Sequence, residues 1–228
     1  MRILAIDTAL EACAAAVLDT AQGIVLARES IAMTRGHAEA LMPLIERVMA
    51  ASGGSFDALD RIAVTVGPGS FTGLRVGIAA ARGLALAAGK PAIGLTTLAA
   101  FAAPLIAEDD TLPVVTAIDA RHEHVYLQVF GPGGRTLVPP RVASLRDAMR
   151  AATTSRGARI VGTGATMLAA AWPAAERPPR LVEQRGAPDI DWIAHLGAAA
   201  PEDAGPPKPL YLRAPDAQPQ DASHIARR

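Results

Sequence analysis

The sequence predicts an α/β fold of two similar lobes, and three observations carry that expectation. Over roughly the first hundred residues, strand-like apolar runs and helical stripes follow one another as β-β-β-α-β-α-β-α. The pattern then restarts at "PVVTAIDARHEHVYLQVF", whose "TAID" repeats the "LAID" of the N-terminus at a strand end. Half of the 228 residues are apolar, enough for a sizeable core, although much of that share is alanine, which buries little area.

The elements follow in order. "RILAID" reads as a buried strand, and "CAAAVLD" and "IVLARESIA" as two more with "TAQG" as the turn between them, which makes a meander. "RGHAEALMPLIERVMAAS" changes period: Leu41, Leu44, Ile45 and Val48 recur at helical spacing, with Glu39, Glu46 and Arg47 mostly off that stripe. Pro43 fits if the helix starts near residue 38 to 42, where early N–H groups lack partners anyway. "GGSFDALD" is a loop and "RIAVTV" a fourth strand.

Residues 66 to 75, "VGPGSFTGLR", then form a glycine turn into a helix over 72–88 that is apolar nearly all round. Gly73 and Gly77, and Ala79 and Gly83, are small residues four apart, a spacing that lets another helix approach. Arg75 and Arg82, seven apart, share a face. "GKPAIGLTTLAAFAAPLI" adds a strand and a helix.

In the second half, "HVYLQVF" alternates as a half-exposed strand should. A helix near "SLRDAMRAAT", a strand in "ARIVGTG", a short helix in "ATMLAAAW" and another in "IDWIAHLGAAA" follow. The end, "PDAQPQDASHIARR", reads as an extended or disordered tail.

Composition excludes several classes. Lys+Arg and Asp+Glu are equal at 22, so the chain lacks the excess positive charge of a protein that grips nucleic acid by itself. Aromatics at 4% argue against a base-stacking platform. The single cysteine, Cys13, rules out an internal disulfide and a Cys-rich zinc site, and its apolar setting reads as an inert buried thiol. No signal peptide and no uninterrupted membrane-length apolar run is read, so the cytoplasm is the default location.

The glycine turn departs from both phosphate motifs. Gly67 and Gly69 fit the dinucleotide spacing, but Thr72 takes the sixth place, and no Gly-Lys-Ser/Thr follows. It either receives an anion on the helix N-terminus near Arg75 or only bends the chain, with Ser70 or Thr72 as the cap. Asp7 and Asp119 each end a strand, where they could hold a metal–nucleotide or merely cap a turn, and Gly162 and Gly164 form another such turn. Asp7, Thr8, Gly67, Gly69, Ser70, Asp119, Gly162 and Gly164 are therefore the candidate nucleotide or anion site. His122 and His124 would share a strand face, but no third metal ligand is close, and no "GxSxG" marks a hydrolase.

"AIDTALEACAAAVL", "HAEALMPLIERV", "VTVGPGSFTGLRVGIAAARGLA", "AIGLTTLAAFA", "AIDARHEHVYLQVF" and "PLYLR" resemble, in order, the bacterial TsaB (YeaZ) family of the tRNA threonylcarbamoyladenosine system. The resemblance implies a two-lobed actin/Hsp70-like (ASKHA, ribonuclease H-like) fold with mixed five-stranded sheets and flanking helices. The lobes would be 1–105 and 106–213, with 214–228 as the tail. It also implies a non-catalytic subunit that pairs with a TsaD-type paralogue, the subunit that transfers threonylcarbamoyl to N6 of the adenosine beside the anticodon. A TsaE-type ATPase would be a further partner, and tRNA would be met only through the complex. ATP and metal would belong to the partners, with no cofactor or metal here and no membrane. TsaD-type proteins carry two metal-binding histidines after the fifth strand; the matching places here hold Thr97 and Phe101, with Ala99 for the carboxylate between. Thr8 and Ala9 follow Asp7 where the superfamily has Asp-x-Gly.

His37, Leu41, Leu44, Ile45, Val48, Arg75, Val76, Ala79, Arg82 and Gly83 are the expected partner interface, a four-helix contact. Left unpaired, that surface should form a homodimer. Two other readings stand beside this one: an ATP-dependent kinase or hydrolase acting alone through Asp7 and Asp119, and a peptidase or acyltransferase, for which no nucleophile–base pair is found by spacing.

Overall fold

The computed structural model describes residues 1–201 and 205–213, so the expected tail at 214–228 lies outside the described residues. Strand β1 (Arg2–Asp7) pairs antiparallel with β2 (Ala12–Asp19), and β2 with β3 (Ile24–Ala32). Helix α1 (His37–Ala51), β4 (Arg61–Gly67), α2 (Phe71–Ala88), β5 (Ala92–Thr96) and α3 (Thr97–Glu108) follow. β4 runs parallel to β1 and to β5, which gives the order β3-β2-β1-β4-β5.

The second sheet repeats the plan. β6 (Val114–Asp119), β7 (His124–Phe130), β8 (Thr136–Ser144), α4 (Leu145–Thr153), β9 (Arg159–Gly162), α5 (Ala165–Ala170), β10 (Leu181–Gln184) and α6 (Ile190–Ala199) follow in chain order. The sheet order β10-β9-β6-β7-β8 has antiparallel β6-β7-β8 and parallel β6-β9-β10. Strand for strand and helix for helix this is the first lobe again. The fold is the expected pair of lobes, each a mixed five-stranded sheet with flanking helices.

Two strands were not legible. β8 carries Pro139 and Pro140, which demote a strand in any sequence reading, but β8 is an edge strand, where proline costs no ladder hydrogen bond on the open side. β10 is four residues long, largely exposed, and also an edge. A further correction concerns α1. It starts at His37, so Pro43 lies well past the first turn and its helix forgoes one backbone bond on the exposed side.

Alternation on the first sheet sends Leu4, Ile6, Val17 and Val64 toward α1 and α2, and Ile3, Ala5, Leu18 and Ala63 toward α6. α6 comes from the second half of the chain yet packs on β1, β2 and β4. Conversely, Leu98, Phe101 and Leu105 of α3 pack with Val114, Ile118, Phe130 and Val161 of the second sheet. The expected boundary at 105/106 thus falls inside α3, which packs against both sheets, while α6 returns to the first lobe.

A buried arginine holds each of these two helices by its C-terminal carbonyls. Arg61, at the start of β4, donates from Nη1 to the Gly197 and Ala200 carbonyls at 2.9 and 2.8 Å. Arg159, at the equivalent start of β9, donates to the Leu105, Asp109 and Leu112 carbonyls at 2.6, 2.6 and 3.0 Å. A guanidinium at a helix C-terminus meets both orphan acceptors and the negative end of the dipole. We expect Arg159→Leu to destabilise the chain by about 2–4 kcal/mol in urea denaturation, because the buried carbonyls lose their donor. A loss below about 0.5 kcal/mol would mean that water replaces the guanidinium.

Candidate functional site

The glycine turn between β4 and α2 closes on its own chain. A Cβ at Gly69 would overlap the Ala9 carbonyl, at Gly73 the Thr8 carbonyl, and at Gly77 the Thr8 hydroxyl. Only glycine admits the 8–9 backbone this close. Hydrogen bonds seal the contact: Ser70 N donates to the Ala9 carbonyl at 2.7 Å, and the Thr8 hydroxyl to the Gly73 carbonyl at 2.7 Å. Ser70 is the cap, its Oγ accepting from Gly73 N at 3.3 Å. Gly67, at φ 114, sits under Leu74 and Leu210, and Leu210 N donates to the Val66 carbonyl at 2.8 Å. N–H groups of Ser70 and Gly73 that an anion would use are therefore engaged.

Asp7 is fully buried beside this turn. Its Oδ1 accepts from the Thr65 hydroxyl and from Ala9 N, while Oδ2 has no partner among the described residues. Burial raises its pKa above the ordinary 3.8, against those hydrogen bonds and the nearby His37. His37 is itself buried, with Nε2 3.2 Å from the Leu10 carbonyl. Burial likewise pushes the Cys13 thiol up to about 11.

The second lobe mirrors this on a looser scale. A Cβ at Gly162 would overlap the Ala117 carbonyl, and Gly164 N donates to that carbonyl at 2.9 Å. Asp119 is exposed; its N donates to Thr163 Oγ1 and its Oδ1 accepts from Arg121 N. Each candidate group is thus assembled within its own lobe, around its own strand end. His122 and His124 do not share a strand face: His122 lies in a left-handed run with Arg121 and Glu123, φ 51–62, and only His124 starts β7. Among the described residues no cluster of three or more His, Cys, Asp or Glu could hold a metal. Thr97 and Phe101 are both buried, Phe101 inside the apolar core between α3 and the second sheet.

The expected interface divides in two. His37, Leu41, Leu44, Ile45 and Val48 are buried in their own lobe, so they do not form a docking surface; one core-facing stripe accounts for all five. The outer face of α1 carries Met42, 48% exposed, with Glu39, Glu46 and Arg47, the last paired to Glu29 at 2.6 Å. On α2, Arg75, Ala79, Arg82 and Gly83 are exposed and Val76 is half-buried. Leu86 is 86% exposed and Phe71 46% on the same helix. The Gly73–Gly77 pair faces inward to Thr8, while the Ala79–Gly83 pair faces out.

Two residues that the sequence reading passed over complete this face. The Arg75 guanidinium lies 3.7 Å above the Phe71 ring and donates to the Tyr211 hydroxyl at 3.2 Å, and the two rings are 5.5 Å apart. Tyr211 belongs to a strap, 205–213, that also bonds β4 through Leu210 and reaches the Ala120 carbonyl through Arg213. Its signal was the "PLYLR" string, whose position on α2 no local pattern gives. By length and composition α2 would also pass for a membrane span, but 33% of it is buried against its own lobe.

Comparison with known proteins follows the same lines. A family model described as TsaD, tRNA N6-adenosine threonylcarbamoyltransferase, matches residues 25–168. The tRNA threonylcarbamoyladenosine biosynthesis protein TsaB of Escherichia coli K12 is 42% identical over 126 residues, 55% of this chain and 53% of that protein. The TsaB protein of Haemophilus influenzae is 38% identical over 126 residues, so the match spans about half the length of both curated relatives. An uncharacterised Mycobacterium tuberculosis H37Rv protein is 35% identical over 95% of this chain and 94% of its own length. Among solved structures, a Pseudomonas aeruginosa protein described as similar to peptidase YEAZ superposes with a TM-score of 0.79 at 30% identity, covering 93% of this chain and 99% of that one.

Two outcomes test the turn. We expect Gly73→Ala to cost about 1–3 kcal/mol or more in urea denaturation, since backbone must move, while Gly83→Ala, in open space, gains about 0.5–1 kcal/mol. Equal effects would show that the 8–9 loop yields freely. For Asp7 the sign is fixed by its raised pKa: the folded state holds the proton more tightly, so stability falls as pH climbs from 3.8 through the folded value. Asp7→Asn should raise stability at neutral pH and flatten that slope in denaturant titrations; a less stable variant at neutral pH would contradict it.

Proposed function

The chain belongs to the TsaB (YeaZ) family of tRNA threonylcarbamoyladenosine biosynthesis proteins, and from that premise we propose that it is a non-catalytic subunit that pairs with a TsaD-type paralogue. The paralogue carries out the transfer of threonylcarbamoyl to N6 of the adenosine next to the anticodon. The observation that carries this reading is the outer face of α2, with Phe71, Ala79, Gly83 and Leu86 uncovered on a helix whose inner face is already packed. An exposed leucine on its own is ordinary; a face that sets Phe71, Leu86 and the small-residue groove of Ala79 and Gly83 beside two exposed arginines, Arg75 and Arg82, fits a second helix with carboxylates at its rim.

Two further features support a subunit without its own chemistry. By the resemblance, Thr97 and Phe101 take the places of the metal-binding histidines of TsaD-type proteins, and the ring of Phe101 fills core. The space opened by Gly69 and Gly73 is taken by the Thr8–Ala9 backbone, which leaves a phosphate no seat there. A lone kinase or hydrolase would need that seat. In this reading ATP and metal belong to partner subunits, a TsaE-type ATPase joins the complex, tRNA is met as part of it, and the setting is the cytoplasm. Without the paralogue the α2 face pairs with a second copy.

The test is co-purification with the TsaD-type paralogue. We expect Ala79→Glu or Leu86→Glu to weaken the pair at least tenfold, about 1.4 kcal/mol, with an unchanged melting curve. Retained pairing in both variants, or saturable ATP turnover by the purified chain alone, would contradict the proposal.

A further inference from the structure

The zero net charge of the chain hides a basic stretch in its second half, while residues 188–228 hold four cations against six carboxylates. Residues 113–187 hold ten arginines against five carboxylates, whereas residues 1–112 hold eight cations against eleven carboxylates. Some of the ten are committed: Arg159 is buried on carbonyls and Arg185 is paired to Glu183. Arg141 on β8 and Arg146 and Arg150 on α4 are exposed, and no guanidinium of the three has a hydrogen bond or ion pair among the described residues. Asp147, between them on α4, accepts the Ser144 hydroxyl at 2.7 Å.

Two shallow grooves flank α4. One, about 440 Å³, is lined by Arg141, Asp147, Arg150 and Thr154. The other, about 390 Å³, has Arg146 and Arg150 at its edge and Leu145, Met149 and Pro173 as its apolar floor. Arg146 and Arg150 are four residues apart on one helix, about 6 Å along its axis, on the order of the step between successive phosphates of one strand. Arginine meets a phosphate with a planar two-donor fork. Bare guanidinium groups beside an apolar groove suit a phosphate with an unstacked base next to it.

We infer that the Arg141–Arg146–Arg150 face of the second lobe contacts the phosphate backbone of RNA. The inference rests on the reading of the chain as a tRNA-modification subunit and names a surface by which that subunit itself touches tRNA, away from the α2 face. Three phosphate contacts give weak, salt-sensitive binding that adds to a partner's grip.

The test titrates fluorescently labelled, unmodified tRNA with the full chain and follows anisotropy from about 50 to 200 mM salt. The triple variant R141E/R146E/R150E should bind at least about tenfold more weakly at the lowest salt, and its slope of log affinity against log salt should be smaller by about 2–3. The triple lysine variant should keep most of the affinity. Melting curves establish that the variants fold. Equal affinity and slope in wild type and glutamate variant would overturn the inference, as would no binding by wild type. Stronger competition by polyglutamate or by phosphatidylserine vesicles than by tRNA would overturn it too, assigning the face to an acidic protein or a membrane. Loss of paralogue pairing in the folded glutamate variant would make the face a protein interface. Failure of the wild-type chain to pair at all would count against the proposed function and leave the tRNA contrast standing.

Discussion

The approach of the Thr8–Ala9 backbone to Gly69, Gly73 and Gly77 is the contact on which the first lobe depends. Three glycines on one turn and helix leave a channel, and the chain that follows β1 lies in it, tied by Ser70 N and the Thr8 hydroxyl. Any side chain in that channel would collide with backbone, which cannot move aside cheaply. The consequence reaches both faces of α2. Its inner face is held flush to β1 and β4, and its outer face presents Phe71, Leu86 and the Ala79–Gly83 groove beside Arg75 and Arg82. The same contact fills the place where a strand–turn–helix unit would otherwise receive a phosphate.

A second constraint keeps the two lobes in register. Each lobe ends in a helix that packs on the other lobe's sheet, and each of those helices is held by an arginine from the start of the fourth strand of the lobe that receives it. The strap through Leu210, Tyr211 and Arg213 adds a third tie, from β4 and α2 to the Ala120 carbonyl. Glu11 N, bonded to the Gly186 carbonyl at 3.2 Å, adds a fourth. Lobes joined in this way make a platform suited to presenting surfaces.

Much of the fold was legible because the central strands are continuous apolar runs and the glycines punctuate them, as in "RIAVTVGPGS". The repeat was legible because "LAID" and "TAID" end equivalent strands, β1 and β6. Pro139 and Pro140 concealed β8, since proline argues against a strand except at an edge, and edges are set by tertiary order. The stripe of Leu41, Leu44, Ile45 and Val48 was legible as apolar, but a stripe does not say what covers it; here its own sheet does. The Gly73–Gly77 spacing was seen, while its partner, Thr8, lies far away in sequence. The packing of α3 on both sheets, the return of α6 to the first sheet and the seat of Tyr211 on α2 are long-range contacts with no local signature.

Hydroxyl-radical footprinting of the free chain and of the chain mixed with its TsaD-type paralogue tests the central claim most directly. Met42, Phe71 and Leu86 are exposed reporters on α1 and α2, and Leu137 and Leu181 are exposed reporters on the second sheet's edge strands. The account predicts that the paralogue shields Met42, Phe71 and Leu86 and leaves Leu137 and Leu181 as reactive as before. Undiminished reactivity at Phe71 and Leu86 in a mixture that demonstrably associates would contradict it.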